Sequence, residues 1–317
     1  MLLPKPTPEH WRLLTQNNIA LRSVFPWGRS IQNILWQARS APFARQNLII
    51  ASDYGGEHKV AGHLVYAFLV ADTSPSDWPM AIRRIRTSIL RNGRRMSFKR
   101  LNDPIRRQAL IPFLDAADTL TGHLVVVAVD KRIKWLVTRK GDSIRWERAL
   151  KLKSKWTDHA FENMGRKAYL IALFLSIWSR PMMNVDWITD QDQSVANADR
   201  LDDAHTFAAT MSSLLLPHKM GEFGMNSTVI DGPDRALEDF CALPDLAAGM
   251  ASEICSALAT KGNWSTSHRY ELEVDAVSSK AGLISDWFWQ SKFRLRKTMI
   301  QMDAVPTGYT VRQIWRL

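Results

Sequence analysis

Short apolar runs that end in an aspartate are the feature of this 317-residue chain that most restricts its fold. The clearest run covers residues 124–130, and the less regular stretches 47–53 and 184–190 also end in an aspartate. Runs of this length without polar alternation are typical of strands buried on both faces of a sheet. Longer segments with helical periodicity separate them. The sequence therefore predicts an α/β fold, a mixed sheet flanked by helices.

Turn and capping signals predict how these elements are connected. Gly55-Gly56 separates the first run from an apolar stretch at 60–71, which we interpret as its hairpin partner. Pro306-Thr307-Gly308 predicts a second hairpin over 297–315. The other expected strands lie at 96–101, 226–230 and 268–277, and the expected helices at 78–92, 104–121, 156–179, 198–215 and 244–259.

Composition along the chain suggests three parts. Residues 1–46 contain short helical segments broken by Pro and Gly, and we interpret them as an N-terminal helical arm. Residues 47–262 form the predicted core, which includes a basic insertion at 131–155. Residues 263–317 shift towards strands and are predicted to form a C-terminal α+β appendage, where a protein partner could dock.

The positive charge is concentrated in two windows. The chain has 42 Lys+Arg against 31 Asp+Glu, a formal net charge of +11, and windows 83–107 and 131–155 each contain ten basic residues. Such an excess predicts a polyanionic partner, and we expect nucleic acid, either RNA or DNA. Tryptophans interleaved in the second window, Trp135, Trp146 and Trp156, would stack on unpaired bases if they are exposed. The candidate nucleic-acid contacts are Arg94, Arg95, Arg100, Lys131, Arg132 and Lys134.

Several classes of protein are disfavoured by the sequence. No apolar run approaches the roughly 20 residues that span a bilayer, so no membrane association is expected. Cys241 and Cys255 are the only cysteines and form no zinc or disulfide framework, which fits a reducing, cytoplasmic location. The sequence also lacks the motifs of serine hydrolases, zinc proteases, P-loop enzymes and dinucleotide-binding folds.

Three aspartates are the candidate site. Asp53 and Asp190 end predicted strands, and Asp245 follows Pro244 at the predicted start of a helix. Carboxylates taken out of water need a partner, and a cluster of them is most simply maintained by a divalent cation. The alternative is structural: strand-terminal aspartates form turns, and a first-turn acid interacts favourably with the helix dipole. Small residues after Asp245, namely Ala248, Gly249 and Ser252, would let that helix approach a sheet closely.

The order of these acids resembles the ribonuclease-H-like superfamily. More narrowly, it resembles a bacterial and phage family of unknown function with Asp-Glu-Ser-Gly on its first strand and Leu-Gln-x-Ala-Asp-Leu on its last helix. The corresponding segments here are Ser52-Asp53-Tyr54-Gly55-Gly56 and Ala242-Leu243-Pro244-Asp245-Leu246. Val129-Asp130-Lys131 and Ile188-Thr189-Asp190 match two intervening strands. The resemblance covers about residues 47–262.

This resemblance implies a metal-dependent mechanism. Asp53, Asp190 and Asp245 would hold Mg²⁺ or Mn²⁺, and Lys99 would stabilise charge that develops on a phosphate. The family usually carries a glutamate near this lysine, whereas residues 97–101 here read Ser-Phe-Lys-Arg-Leu. A fourth carboxylate would have to come from Glu57, Asp103 or Asp192, among which the sequence does not decide.

The leading hypothesis is a divalent-metal-dependent nuclease or related phosphoester hydrolase acting on nucleic acid. A second is a nucleic-acid-binding protein without catalytic activity, because the second acid of the family motif is missing. A third is an interaction subunit of a larger bacterial complex, such as one in phage defence, with the C-terminal appendage as its docking surface.

Overall fold

The computed structural model describes residues 25–37, 47–72, 76–91, 93–216, 218–232, 234–260, 269–270, 276–290 and 294–316. It confirms the α/β class and the mixed sheet. Most of the predicted N-terminal arm and most of the predicted strand at 268–277 lie outside the described residues.

The helices and strands follow in this chain order: α1 (Pro26–Gln37), β1 (Asn47–Gly55), β2 (His63–Asp72), α2 (Trp78–Ser88), α3 (Pro104–Ala117), β3 (Gly122–Asp130), α4 (Asp142–Leu150), α5 (Asp158–Trp178), β4 (Asn184–Thr189), α6 (Ala198–Leu215), β5 (Phe223–Ser227), α7 (Ala236–Thr260), β6 (Arg269–Tyr270), α8 (Ser279–Trp289), β7 (Leu295–Val305) and β8 (Gly308–Arg316).

The chain divides into two compact units. The first contains the described residues up to Ile50 together with Lys134–Ile230, and the second contains Ala51–Ile133 together with the described residues from Asp231 onwards. Both units are therefore assembled from segments far apart in sequence.

The first unit is built around helix α5, nearly all of which is buried. This helix packs on α6, and β4 pairs in parallel with β5. Glu162, on the buried face of α5, accepts backbone N–H bonds from Leu136 (2.7 Å) and Thr138 (2.7 Å) and also bonds Arg166 (2.7 Å). A buried carboxylate is stable only with such partners, so Glu162 fixes the segment between β3 and α4 on α5.

The second unit contains the mixed part of the sheet. Its strands follow the order β1-β2-β3-β7-β8-β6, where β1 contributes its last residues. β2 and β3 are antiparallel, β3 and β7 are parallel, and β7 and β8 are antiparallel. Every residue of β3 is buried, as its β-branched sequence predicts. Helix α7 packs against β2 and β3.

Three predicted elements differ in the structure. Residues 96–101 were expected to form a strand, but Phe98–Arg100 form a 3-10 helix, because Met96, Phe98 and Leu101 are buried without strand pairing. The strand expected at 226–230 is β5, which ends at Ser227 and continues as a 3-10 turn. The helix expected at 244–259 begins at Ala236, so Pro244 lies inside it.

The C-terminal segment is more integrated than an appendage. The predicted hairpin is confirmed, with β7 and β8 joined at Pro306-Thr307. However, β7 pairs with β3 along Gly122–Val129, so this segment supplies strands to the sheet itself. Parallel pairing between distant segments leaves no local sequence signal.

Among the helices of the described ranges, none combines the length and the hydropathy of a membrane-spanning segment.

Candidate functional site

Helix α7 approaches the end of β1 closely. A β-carbon at Gly55 would lie 3.3 Å from the carbonyl oxygen of Ala248, and a β-carbon at Gly249 would overlap the ring of Phe98. Glycine at these two positions therefore permits the contact between α7, β1 and the 3-10 helix. The small residues after Asp245 give the helix this close approach.

Asp53 lies on the side of β1 that faces α7. Side chains alternate along a strand, so Asp53 and Gly55 point to one face and Tyr54 to the other. The ring of Tyr54 contacts Tyr66 and Phe68, which places Tyr54 on the face opposite α7. The half-buried carboxylate of Asp53 accepts the N–H of Tyr54 at 2.8 Å.

Asp245 lies in the middle of α7 and is tied to the 3-10 helix. Its Oδ2 accepts the backbone N–H of Phe98 at 2.6 Å. Because α7 starts at Ala236, Asp245 is not a first-turn acid, and the helix-dipole explanation for it is wrong. The bond to Phe98 engages Oδ2 of this carboxylate.

Lys99 is the residue after Phe98 and is exposed. A second lysine lies close by that the sequence interpretation missed. Lys280 of α8 donates to the carbonyl oxygen of Phe98 at 3.1 Å, and its ammonium lies 4.3 Å from the Phe98 ring centroid. Phe98 therefore bonds Asp245 through its N–H and Lys280 through its C=O. No local motif marks Lys280, since it comes from the distant C-terminal segment.

The candidate fourth carboxylates occupy different positions. Glu57 is exposed in the turn after β1. Asp103 caps α3 by accepting the Ile105 N–H at 2.9 Å and pairs with Arg94 and Arg106. Burial disfavours the charged form of Asp103, but these hydrogen bonds and charges outweigh it and lower its pKa. Asp103 is therefore committed to a structural role.

Asp190 and Asp192 belong to the first unit. Asp190 directly follows β4 and accepts bonds from the Thr228 hydroxyl (2.7 Å) and the Gln191 N–H (2.9 Å). Asp192 pairs with the buried ammonium of Lys167. The loop after β4 is therefore held by a lysine from α5.

The predicted nucleic-acid contacts fall into two groups. Arg94 pairs with Asp103, Arg132 pairs with Asp130, and the Lys131 ammonium donates to the His58 carbonyl at 2.7 Å. The other three differ in exposure: Arg95 is half-buried, and Arg100 and Lys134 are exposed.

Two of the three interleaved tryptophans pack inside the first unit. Trp156 is buried, contacts Phe161 and donates its indole N–H to Asp203 at 3.0 Å, so it packs in the core and does not meet the exposure that stacking on bases requires. Trp146 packs edge-on against Phe207. Trp135 remains 38% exposed and is the candidate for stacking.

Helix α4 and its flanking turns present a basic surface that was only partly anticipated. The acids of this segment bind backbone donors: Asp142 accepts the Arg139 N–H, Glu147 the Trp156 N–H and Asp158 the Gly141 N–H. Lys153 is exposed and pairs with Asp202, and the other exposed cations of the segment, which we call the α4 basic surface, are Arg139, Lys140, Arg145, Arg148, Lys151 and Lys155. The acids thus stabilise the fold of the segment while the cations face solvent.

A buried polar cluster lies at the start of β2 and was missed. His63, Asp130 and Asp303 are buried, and one ligand atom of each lies within 4.8 Å of the others. Nε2 of His63 lies 3.1 Å from Oδ1 of Asp303. Among the described residues this is the one group of at least three such side chains with spacing that suits a metal ion. Asp130 therefore belongs to this buried group as well as ending β3.

Together these features define an α/β protein with a mixed sheet, a candidate acidic site beside α7 and a buried His/Asp cluster. No family model, curated protein or solved structure matches this chain.

Proposed function

We propose that this protein is a divalent-metal-dependent phosphodiesterase that acts on nucleic acid. The observation that carries the proposal is the bond between Asp245 and Phe98 beside the end of β1. It puts the carboxylate of the last-helix motif next to the segment that carries Lys99. Asp53 of the first-strand motif lies on the side of β1 that faces the same helix.

The donor set suits Mg²⁺ or Mn²⁺. Both cations prefer carboxylate oxygens, and Asp53 and Asp245 would supply them. Each of these carboxylates is oriented by one backbone N–H, from Tyr54 and Phe98 respectively. A divalent cation bound there would lower the pKa of an attacking water and stabilise phosphate charge.

The lysines would act on the phosphate. Lys99 is exposed beside Phe98, so its ammonium is available to a non-bridging phosphate oxygen. Lys280, held over the Phe98 ring, adds positive charge on the same segment. Both cations oppose the charge that grows on the phosphate as the water attacks.

The α4 basic surface supports a nucleic-acid substrate. Its cations are exposed, whereas the nearby acids are occupied by backbone donors. A surface of this kind binds phosphates without reading sequence. The proposal therefore predicts cleavage with little dependence on base sequence.

Cleavage of end-labelled RNA and DNA in Mn²⁺ or Mg²⁺ tests the proposal. Asp53→Asn and Asp245→Asn each remove one predicted carboxylate charge while keeping an acceptor oxygen. Asp77→Asn, at an exposed position, is the matched control. We expect both site variants to lose cleavage and the control to retain it.

The outcome also separates the alternatives. Salt-sensitive binding without cleavage by the wild type would favour a binding protein without catalytic activity. Neither binding nor cleavage would favour an interaction subunit that docks through its C-terminal segment. Either result would reject the phosphodiesterase.

A further inference from the structure

The buried cluster at the start of β2 is formed by three neighbouring strands. His63 is the first residue of β2 and pairs in register with Asp130, the last residue of β3. Val129 pairs with Met302 in the parallel β3–β7 ladder, so Asp130 and Asp303 are the next residues of the two strands. The three side chains are therefore positioned by the sheet rather than by loops.

From this arrangement we infer that His63, Asp130 and Asp303 bind a first-row transition-metal ion, with Zn²⁺ as the best fit. Ligands bonded to zinc at about 2.0–2.2 Å lie roughly 3–3.5 Å from one another. The 3.1 Å between His63 Nε2 and Asp303 Oδ1 is within this range. The third ligand atom, from Asp130, lies within 4.8 Å of the other two.

Gln301 gives an independent indication of a ligand. Its side chain is fully buried, and its Nε2 donates to Oδ1 of Asp303 at 2.6 Å. Its buried Oε1 has no hydrogen-bond partner among the described residues. A buried acceptor left unpaired costs about 1–3 kcal/mol. A cation beside Asp303 would supply this oxygen with a partner. It could do so directly, or after the Gln301 side-chain amide rotates by 180°, which exchanges Oε1 and Nε2 and hardly changes the shape of the side chain.

The neighbouring arginines leave room for the cation. Arg312 is buried and donates to Oδ2 of Asp303 at 2.8 Å, so the metal ligand would be Oδ1, which bonds Gln301 and His63 instead of an arginine. Arg132 holds Asp130 at 2.6 Å, but its side chain is 74% exposed and can move into solvent. Arg132 therefore balances the charge of Asp130 without metal and competes with the metal for it.

The donor set separates this site from the one under Proposed function. Imidazole nitrogen with carboxylate oxygens favours Zn²⁺ over Mg²⁺, whereas Asp53 and Asp245 offer oxygen alone. The two sites share no residue. Zn²⁺ here would link β2, β3 and β7, a structural role that is independent of catalysis.

The test uses the full chain carrying Asp53→Asn and Asp245→Asn, so that metal bound at the other site does not contribute. The chelator-stripped protein is titrated with ZnCl₂ or MgCl₂, and bound metal is measured by mass spectrometry after desalting. We expect one Zn²⁺ per chain, no retained Mg²⁺ and a higher Tm with Zn²⁺. Adding His63→Gln or Asp303→Asn should weaken Zn²⁺ binding at least tenfold.

Arg132→Gln gives the sharpest result because the two explanations of the cluster predict different outcomes. If the cluster binds metal, removing the competing guanidinium should tighten Zn²⁺ binding several-fold. If the cluster is only an ion-pair network, the same change should leave Zn²⁺ binding absent. The inference is overturned by absent stoichiometric Zn²⁺, by unchanged binding in His63→Gln, or by weaker binding in Arg132→Gln. Since Arg132 is exposed, this variant should fold even if His63→Gln does not.

Discussion

The backbone N–H of Phe98 donates to Oδ2 of Asp245 across 147 positions of sequence, at 2.6 Å. A charged acceptor makes this a strong bond, and it fixes a 3-10 helix against the middle of a long α-helix. Lys99 owes its place near Asp245 to this bond. The same carboxylate holds Phe98 in place and is the proposed metal ligand. Substitutions at Asp245 can therefore separate its effect on the free energy of unfolding from its effect on cleavage.

Asp245→Asn should separate charge from position. Asparagine keeps an oxygen for the Phe98 N–H but loses the negative charge, so the fold should persist while cleavage falls about 100-fold or more. Asp245→Ala should in addition lower the free energy of unfolding by about 1–3 kcal/mol, because it leaves the Phe98 N–H unpaired. Urea unfolding and cleavage rates, measured on the same preparations, check both expectations. Equal cleavage by Asp245→Asn and wild type would remove Asp245 from the site.

Gly249→Ala should disturb the site without touching a charged group. The added methyl overlaps the Phe98 ring, so the 3-10 helix must shift or α7 must move away. Overpacking of this kind costs about 1–3 kcal/mol. Gly282→Ala, in α8 with open space at its β-carbon, is the matched control and should be neutral or slightly stabilising. A Tm for Gly249→Ala equal to that of the control would show that the close approach is unimportant.

His123 should make the protein acid-sensitive. It is buried in β3 and bonded to Thr298 at 2.8 Å, and burial together with Arg296 lowers its pKa to about 3. The unfolded chain, with a histidine pKa near 6.5, then binds the extra proton between about pH 6.5 and 3. Stability from this group is present above pH 6.5 and decreases by up to about 1.4 kcal/mol per pH unit as the pH falls through this window. Urea unfolding from pH 7 to 5 should show this slope, and His123→Leu should reduce it by that amount.

The α4 basic surface should govern the salt dependence of nucleic-acid binding. Each lost phosphate contact reduces the slope of log K against log salt by about 0.7–0.9. Arg145→Ser/Arg148→Ser should therefore flatten the slope by roughly 1.5 for a labelled oligonucleotide. Lys59→Ser/Lys219→Ser removes the same charge at other exposed positions and should change the slope much less. Equal effects of the two double variants would mean that net charge alone controls binding.

Sequence patterns predicted most of the regular elements for a simple reason. β3 is a β-branched run with no polar interruption, and α6 begins at a capping asparagine, Asn197, whose side chain accepts the Arg200 N–H. Both signals are local. The 3-10 helix at Phe98 was missed because Met96 and Phe98 have the two-residue apolar spacing of a strand.

The candidate site was partly predictable. Asp53 and Asp245 were identified from short motifs. Helix α7, which carries Asp245, packs on the face of β1 that carries Asp53. The buried cluster was missed because Asp303 joins His63 and Asp130 only through the parallel pairing of β7 with β3. Lys280 was missed for a similar reason, since no sequence pattern near it indicates its contact with Phe98.

The pairing of β7 with β3 has a consequence for biosynthesis. His123 and Thr298 are 175 positions apart, so a ribosome completes β3 long before its partner strand emerges. Until then one edge of a strand that is fully buried in the finished protein has no permanent neighbour, and such edges are prone to aggregate. Nascent chains that stop before β7 should therefore depend on chaperones and be degraded quickly, while completed chains should escape both.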